Sequence, residues 1–414
     1  MAHVIVIGAG PAGLMAADVV SAAGVRVTVY ERMPSVGRKL LLAGRGGLNL
    51  THGEPLEVLL RRYGVARPFL GEAIEMFSPD ALRRMAHDLG VETFIGTSGR
   101  VFPRAMKASP LLRAWLARLA RQAVDIRTRH RMAGFDAAGR PLVAAGFDEP
   151  CAVEADAVVL ALGGGSWPRL GSDGGWVAAI AGIGVRVQPI EAANVAVAVA
   201  WTQHFRERFA GSPLKRIAAS VGGQRQRGEA IVTATGLEGG VIYAQTPEIR
   251  RALAEGDAHI LIDLRPDLNT VDLANRLAKP RGKQSLTSWL RKTVHLAPVA
   301  IGLLREASGN ALPTDAEVLA HAIKEVRLPV TALGGLERAI SSAGGIALDE
   351  IGPDMMLRRH PGLFVAGEML DWEAPTGGYL LQGCFATGHA AGRGVLSYLG
   401  ERHALSGGDH PSPA

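Results

Sequence analysis

His3-Val4-Ile5-Val6-Ile7 is an apolar run too short for a helix and of the kind a strand buried on both faces requires. Gly8-Ala9-Gly10-Pro11-Ala12-Gly13 follows, and then an Ala-rich stretch, 14–23, that predicts a helix closed by Gly24. Residues 25–30 form a second strand with Glu31 at its end, so the first thirty residues predict a βαβ unit. Ser78-Pro79-Asp80 and Ser109-Pro110 each place a serine cap before a proline at the first helical position, predicting helices to Leu89 and to Ala123. Strands are expected over 124–130, 141–147 and 156–162, the last running into Gly163-Gly164-Gly165, with a helix over about 175–181.

The pattern changes near Pro189. Segments 195–199, 217–221 and 230–235 predict strands of a separate β-rich unit, whereas 246–325 carries mostly helical periodicity punctuated by prolines 266, 280, 298 and 313. A buried strand returns at 363–366 and leads through Gly367-Glu368 and a Gly377-Gly378 turn into a glycine-studded helix reaching about Tyr398. The expected organisation is an α/β chain: a Rossmann-like domain split between 1–188 and 346–404, a β-rich domain over 189–245 and 326–345, and a helical subdomain over 246–325. Residues 405–414, rich in Ser, Gly, Pro and His, are expected to form a flexible tail.

Composition sharpens this in two places. Glycine supplies 52 of 414 residues without a collagen period, so many positions need close approach or unusual backbone angles. With only Cys151 and Cys384, a disulfide framework and a multi-cysteine zinc site are both excluded, and the histidines show no metal-binding spacing. No metal is assigned. The apolar start is broken by glycines and lacks a basic leader, and no membrane span is expected, so a cytoplasmic location fits. The net charge of +6 is modest for this length and much weaker than a nucleic-acid footprint concentrated on one domain, so nucleic acid is not an expected partner and small anionic ligands explain the charge equally well.

The first βαβ unit carries every part of a dinucleotide fingerprint. Gly8 allows the tight turn, Gly10 lets backbone approach a pyrophosphate, Gly13 permits close helix packing, and the helix start, with Pro11 pre-set at its first position, offers N–H groups from Ala12 onward. Glu31, with Arg32 beside it, stands where a carboxylate accepts ribose hydroxyls. Beyond it, Arg38 and Lys39 precede the flexible run Gly44, Gly46, Gly47 and then Asn49. A long basic, glycine-rich loop directly after the ribose-binding acid is what FAD needs along its extended length. Gly163 and Gly164 are expected to make a second FAD contact rather than a second nucleotide site, so NAD(P)H would bind only transiently as a donor. Arg276, Lys279, Arg281, Lys283, Arg291 and Lys292 form a basic face, read as solvated. Cys384 is read as a packed residue.

Further blocks run along nearly the whole chain: Gly37-Arg38-Lys39-Leu40-Leu41, Gly99-Arg100-Val101-Phe102-Pro103, Gly163-Gly164-Gly165-Ser166-Trp167-Pro168, Gly228-Glu229, and Gly367-Glu368-Met369-Leu370-Asp371 followed by Thr376-Gly377-Gly378-Tyr379. Together they resemble the BaiN/YhiN-like flavoproteins of the glutathione-reductase-type FAD superfamily. The resemblance implies a split FAD domain, Gly367 and Glu368 near the flavin ribityl chain, and Thr376, Gly377, Gly378 and Tyr379 toward the pyrimidine side of the isoalloxazine. It also implies hydride transfer through flavin N5 to a carbon–carbon double bond conjugated to a carbonyl in a small molecule, with Tyr379 and Asp371 the candidate proton donors by motif position. Three positions depart from the family pattern: Leu48 stands where many members have cysteine, Val232-Thr233-Ala234 replaces Phe-Thr-His, and Leu380 replaces asparagine. Two other readings stay open, an RNA-modifying flavoprotein, encouraged by a pI near 9.6 but lacking an aromatic and basic nucleic-acid module, and a flavin-binding regulatory protein without turnover.

Overall fold

The opening run His3–Ile7 is a strand, and its last four residues are buried. In the computed structural model, which describes residues 2–44 and 46–406, it takes the centre of a five-stranded sheet ordered Leu363–Val365, Ala157–Leu160, His3–Ile7, Arg26–Glu31, Asp125–Thr128. Every neighbouring pair is parallel. From the central strand the chain first builds outward on one side, then returns to build on the other, so the order reverses beside His3–Ile7. In doubly wound sheets the crevice at the carboxyl ends of strands at such a reversal is where ligands bind.

The helix Pro11–Ala22 starts directly after the first strand, with Gly10 as its extended N-cap and proline in its first turn. Gly8 sits at φ +106°, and a side chain there would overlap the Ala161 carbonyl. One on Gly13 would overlap the Gly8 carbonyl. The turn is therefore as tight as backbone alone permits. The second strand delivers Glu31 to the sheet's carboxyl edge, where Ile7 pairs with Tyr30.

Two compact units result, one built from residues up to Glu191 together with those from Ser341 onward, the other from Ala192–Ile340. In the first, the C-terminal helix Tyr379–Ser406 packs along Pro11–Ala22, with Gly388 facing the Ala12 backbone and Gly392 facing Val19. That helix extends beyond the expected end at Tyr398, and of the tail expected over 405–414, residues 407–414 lie outside the described residues. Thr51–His52, Arg100–Pro103 and Thr93–Ile95 make a small antiparallel sheet that periodicity did not disclose, because its strands have only two to four residues. The strand expected over 124–130 breaks at Arg129, whose φ is +61°, and continues as His130–Phe135. Ser78 caps its helix as expected through Ala81 N. The next helix begins at Ala108, two residues before Pro110, with no side-chain cap.

The second unit centres on a seven-stranded sheet, including Pro213–Val221, Gln224–Val232 and His259–Asp263. His259–Asp263 falls within the stretch that periodicity assigned to helices. Five residues, three of them buried, are too few to show a period against helical flanks. The helices Thr270–Leu277, Leu286–Val294, Pro298–Ala307 and Ala316–Lys324 bury Leu273, Leu290, Leu303 and Ile323 in the same apolar core as the sheet residues Ile217, Ile260 and Ile262. Among the described residues no helix is long and apolar enough to cross a membrane.

Candidate functional site

A cavity of about 310 Å³ opens at the reversal point of the parallel sheet. Its floor is backbone: Gly8, Gly10, Pro11 and Ala12 line it at the start of the first helix, and Gly163 and Gly367 line it from the two later strands. Gly10 differs from its neighbours in the turn. No atom lies within 4 Å of the place where its Cβ would stand, so the absent side chain leaves room for a ligand to touch the main chain. The adjacent helix start supplies N–H groups with no intrahelical partner, and an anion is favoured there.

Glu31 lies at the end of the cavity. Its Oε2 accepts from Ala9 N at 2.9 Å and its Oε1 from Met33 N at 2.8 Å, which fixes the carboxylate while leaving each oxygen a free lone pair. Arg32 pairs with Asp173 at 2.7 Å. Arg38 donates to Ser35 Oγ at 3.1 Å, but its Nε is buried without a partner.

Lys39 and Glu368, far apart in sequence, meet at 2.6 Å. Lys39 also reaches Ser166 Oγ, while the other Glu368 oxygen accepts from Ser342 N at 3.0 Å. Ser342 Oγ in turn accepts from Gly165 N at 3.0 Å, and a Cβ on Gly164 would overlap it. Gly164 is thus a packing position beneath the pair. Gly13 likewise packs the helix against the turn. The serines of this brace escaped sequence reasoning, although Ser166 lies inside the Gly163 to Pro168 block.

A second cluster gathers where the C-terminal helix begins. Gly378, at φ +95°, lies so close to the Thr51 backbone that a Cβ would stand 2.6 Å from it. Gln382, one turn on, accepts from Thr51 Oγ1 at 2.8 Å and donates to Phe77 O at 2.6 Å. These contacts bring Gly377, Gly378 and Tyr379 beside the loop that carries Gly47 and Asn49. Gly44 packs on Ala108, Gly47 on Met106, and Gly46 has no neighbour within 4 Å of its Cβ position. Asn49 Oδ1 is buried without a partner. Thr376 is half-buried just before the turn.

The Tyr379 phenol donates to Glu54 Oε1 at 2.7 Å, and Arg62 donates to both Glu54 oxygens at 3.2 and 2.9 Å. His52 stacks on the tyrosine ring at 5.4 Å between centroids, and Tyr63 OH donates to the Tyr379 carbonyl at 2.8 Å. Burial, then the hydrogen bond to Glu54 and its charge, push the Tyr379 pKa well above the usual tyrosine value. Burial also raises Glu54, but the hydrogen bonds from Arg62 and Tyr379 outweigh it and hold the carboxyl below its usual range. His52, Glu54 and Arg62 carry no sequence motif; only the fold collects them. Asp371 is half-buried, with its pKa raised by burial and by the charge of Glu373. Burial, with the Glu368 charge adding, pushes the Cys384 thiol up to about 12, so the thiol that lines the cavity is protonated.

The family model described as "HI0933-like protein Rossmann domain" matches residues 2–394. The chain belongs to the HI0933-like family. It is an FAD-dependent oxidoreductase, as the family resemblance implied, and the α/β class is borne out. A 3-dehydro-bile acid delta(4,6)-reductase of Clostridium scindens is 29% identical, across 94% of this chain and 97% of that protein. A ribosomal RNA dihydrouridine synthase of Escherichia coli is 24% identical, across 95% and 98%. Among solved structures, an open conformation of a flavocytochrome c3 fumarate reductase superposes with a TM-score of 0.53 at 16% identity, covering 96% of this chain and 78% of that one, a likeness of fold.

The HI0933-like site suits FAD on its own geometry. The open face of Gly10 accommodates a pyrophosphate against backbone, and the two anchored oxygens of Glu31 present acceptors to a ribose. Ser172 Oγ, buried in the cavity wall without a partner, together with Arg38 Nε and Asn49 Oδ1, supplies polar atoms that a long ligand with many acceptors and donors can satisfy. Leu48, ahead of Asn49, is fully buried and brings no thiol chemistry.

Proposed function

We propose that this protein reduces a carbon–carbon double bond conjugated to a carbonyl in a small organic substrate, with NAD(P)H as a transient electron donor, in the cytoplasm. The observation that carries the reading is the pair of relatives matched along almost their full length. One is named for reducing delta(4,6) bonds and the other for making dihydrouridine, and both names describe saturation of a double bond conjugated to a carbonyl.

Bound FAD would supply hydride from N5 to the carbon β to the carbonyl. The chain must then hold the cofactor and deliver a proton to the α carbon. Gly8 to Gly13, Glu31, Arg38, Lys39 and Glu368 would hold the dinucleotide and its linker, and Asn49 with Gly377 and Gly378 the redox-active end. A helix N-terminus beside that end favours negative charge. Of the two proton donors suggested by motif position, Asp371 suits the task better. Its raised pKa keeps the acid form to higher pH, and its carboxyl makes no hydrogen bond among the described residues. The Tyr379 proton is committed to Glu54, which makes Tyr379 a positioning residue at the start of the helix.

Anaerobic stopped-flow mixing of the reduced protein with enones tests this. A conjugated enone is expected to reoxidise the flavin, and Asp371→Asn to slow that step by about 10²-fold or more while leaving reduction by NAD(P)H unchanged. If no enone reoxidises the flavin faster than buffer, the reading fails.

A second reading, in which the double bond is C5=C6 of a uracil in RNA, is favoured by the dihydrouridine synthase match.

A further inference from the structure

The second unit carries a charge asymmetry that the flavin chemistry does not use. Between Asp272 and Glu306 the sequence holds no acidic residue, yet it contains Arg276, Lys279, Arg281, Lys283, Arg291 and Lys292. Lys279, Arg281 and Lys283 stand exposed on the connection between helices Thr270–Leu277 and Leu286–Val294. Among the described residues, none of the six has a carboxylate within ion-pair distance.

The surrounding fold extends this surface. The connection from Leu264 to Asn269 is tied to the end of Leu286–Val294, because Arg265 donates to the Val294 carbonyl. The carboxylates nearest to it are already engaged: Asp263 with Arg225 and Lys324, and Asp267 with Arg227. Burial and then the charges of Arg276 and Arg216 act against protonation of Arg265. Arg216 is exposed at a bulge in the strand Pro213–Val221, where its φ is +55°. Bulges of this kind re-aim a side chain out of the ladder, and a non-glycine residue at positive φ costs about 1 kcal/mol or more.

We propose that this surface, running from Arg216 past Arg276 to the 279–283 connection, docks the phosphate backbone of RNA. A row of exposed cations matches repeated phosphates, whereas a single small anion calls for convergent, partly buried donors. No large apolar side chain is exposed within 276–292, and Trp289 is buried, so this stretch has no large apolar side chain to insert into a lipid bilayer and no ring on which a base could stack. Recognition through phosphates alone positions an RNA without reading its sequence. The proposal deepens the uracil reading and rests on it for the choice of RNA.

The test measures binding of a fluorescein-labelled ribosomal RNA hairpin to the FAD-loaded full chain by anisotropy, from 50 to 200 mM salt. One variant is Lys279→Gln/Arg281→Gln/Lys283→Gln; the control is Arg61→Gln/Arg84→Gln/Arg113→Gln, which removes the same charge from exposed positions of the first unit. The unaltered protein is expected to bind with a salt slope of about −4, and the connection variant to weaken binding at least tenfold and flatten that slope by about 3. The control is expected to stay within threefold.

Absence of binding at 50 mM salt, or equal weakening by both variants, overturns the proposal. So does loss of binding to phosphatidylserine vesicles in the connection variant with RNA binding unchanged. Dihydrouridine formation from the reduced protein is read separately. Dihydrouridine with no effect of the connection variant rejects the surface and keeps the uracil reading. Variant-sensitive binding without dihydrouridine keeps the surface and rejects the uracil reading.

Discussion

The cradle at the sheet reversal and the basic surface of the second unit address phosphate in opposite ways. In the cradle the work falls to backbone. Glycines define a space, a helix start offers N–H groups, and two of the nearby side-chain charges are matched, Lys39 by Glu368 and Arg32 by Asp173. On the basic surface side chains rather than main-chain N–H groups face outward, and among the described residues those charges stand without carboxylates. A site built from shape fails all at once when one atom is added, whereas a site built from charge loses affinity in steps.

The largest effect is therefore expected from a methyl group in the cradle. Gly13→Ala drives its Cβ into the Gly8 carbonyl and should cost about 3 kcal/mol, lowering Tm by roughly 6–12 °C and leaving little flavin in the purified protein. Gly10→Val sharpens the point, because nothing lies within 4 Å of that Cβ position. Its Tm without flavin should stay within about 4 °C, the cost of a poorer helix cap, while FAD content falls at least tenfold. If Gly10→Val retains FAD, the close approach of ligand to backbone is wrong.

Next comes the brace. Lys39→Met strands a largely buried Glu368 carboxylate and should cost about 1–3 kcal/mol, discounted for the partial exposure of the pair. Lys39→Met/Glu368→Met should regain part of that loss, measured by thermal melts of flavin-stripped protein. A double variant as unstable as the sum of the two singles would mean the residues do not act together.

A smaller effect is expected at the helix start. Tyr379→Phe removes one hydrogen bond to Glu54, worth about 1 kcal/mol. The Glu54 pKa is lowered from 4.5, so its contribution is present above that pH and is lost as pH falls through the lowered folded value. Stability measured from pH 7 to pH 3 should drop on that acid limb, and Tyr379→Phe should make the drop shallower. Smallest of all, Lys279→Gln on the basic surface should leave Tm within about 1 °C and weaken RNA binding only severalfold.

How far each region could be read in advance follows the same division. The cradle was legible because its physics is local. Gly8, Gly10, Gly13 and Glu31 lie within one βαβ unit, where spacing in sequence is spacing in space. Tyr379 was found through its motif, but its partners His52, Glu54 and Arg62 were not, since their place depends on strands of two to four residues and on a helix that begins three hundred residues later. The Lys39–Glu368 pair was visible as two separate residues and invisible as a pair. Ser166 and Ser342, which complete it, have no signature beyond ordinary serine. On the basic surface the cations were plain to see; their lack of carboxylate partners, and the company of Arg216 and Arg265, required the fold.

The central sheet also sets a schedule for synthesis. Ala157–Leu160 pairs on one side with His3–Ile7, which has already been made, and on the other with Leu363–Val365, which leaves the ribosome about 200 residues later. At about 5–20 residues per second that interval is on the order of 10–40 s, during which a flat, apolar strand edge waits without its neighbour. The second unit, continuous from Ala192–Ile340, is complete before that edge is covered. The nascent chain is therefore exposed to aggregation in its first half until its last quarter arrives, and a truncation before Leu363 should be recovered as insoluble protein.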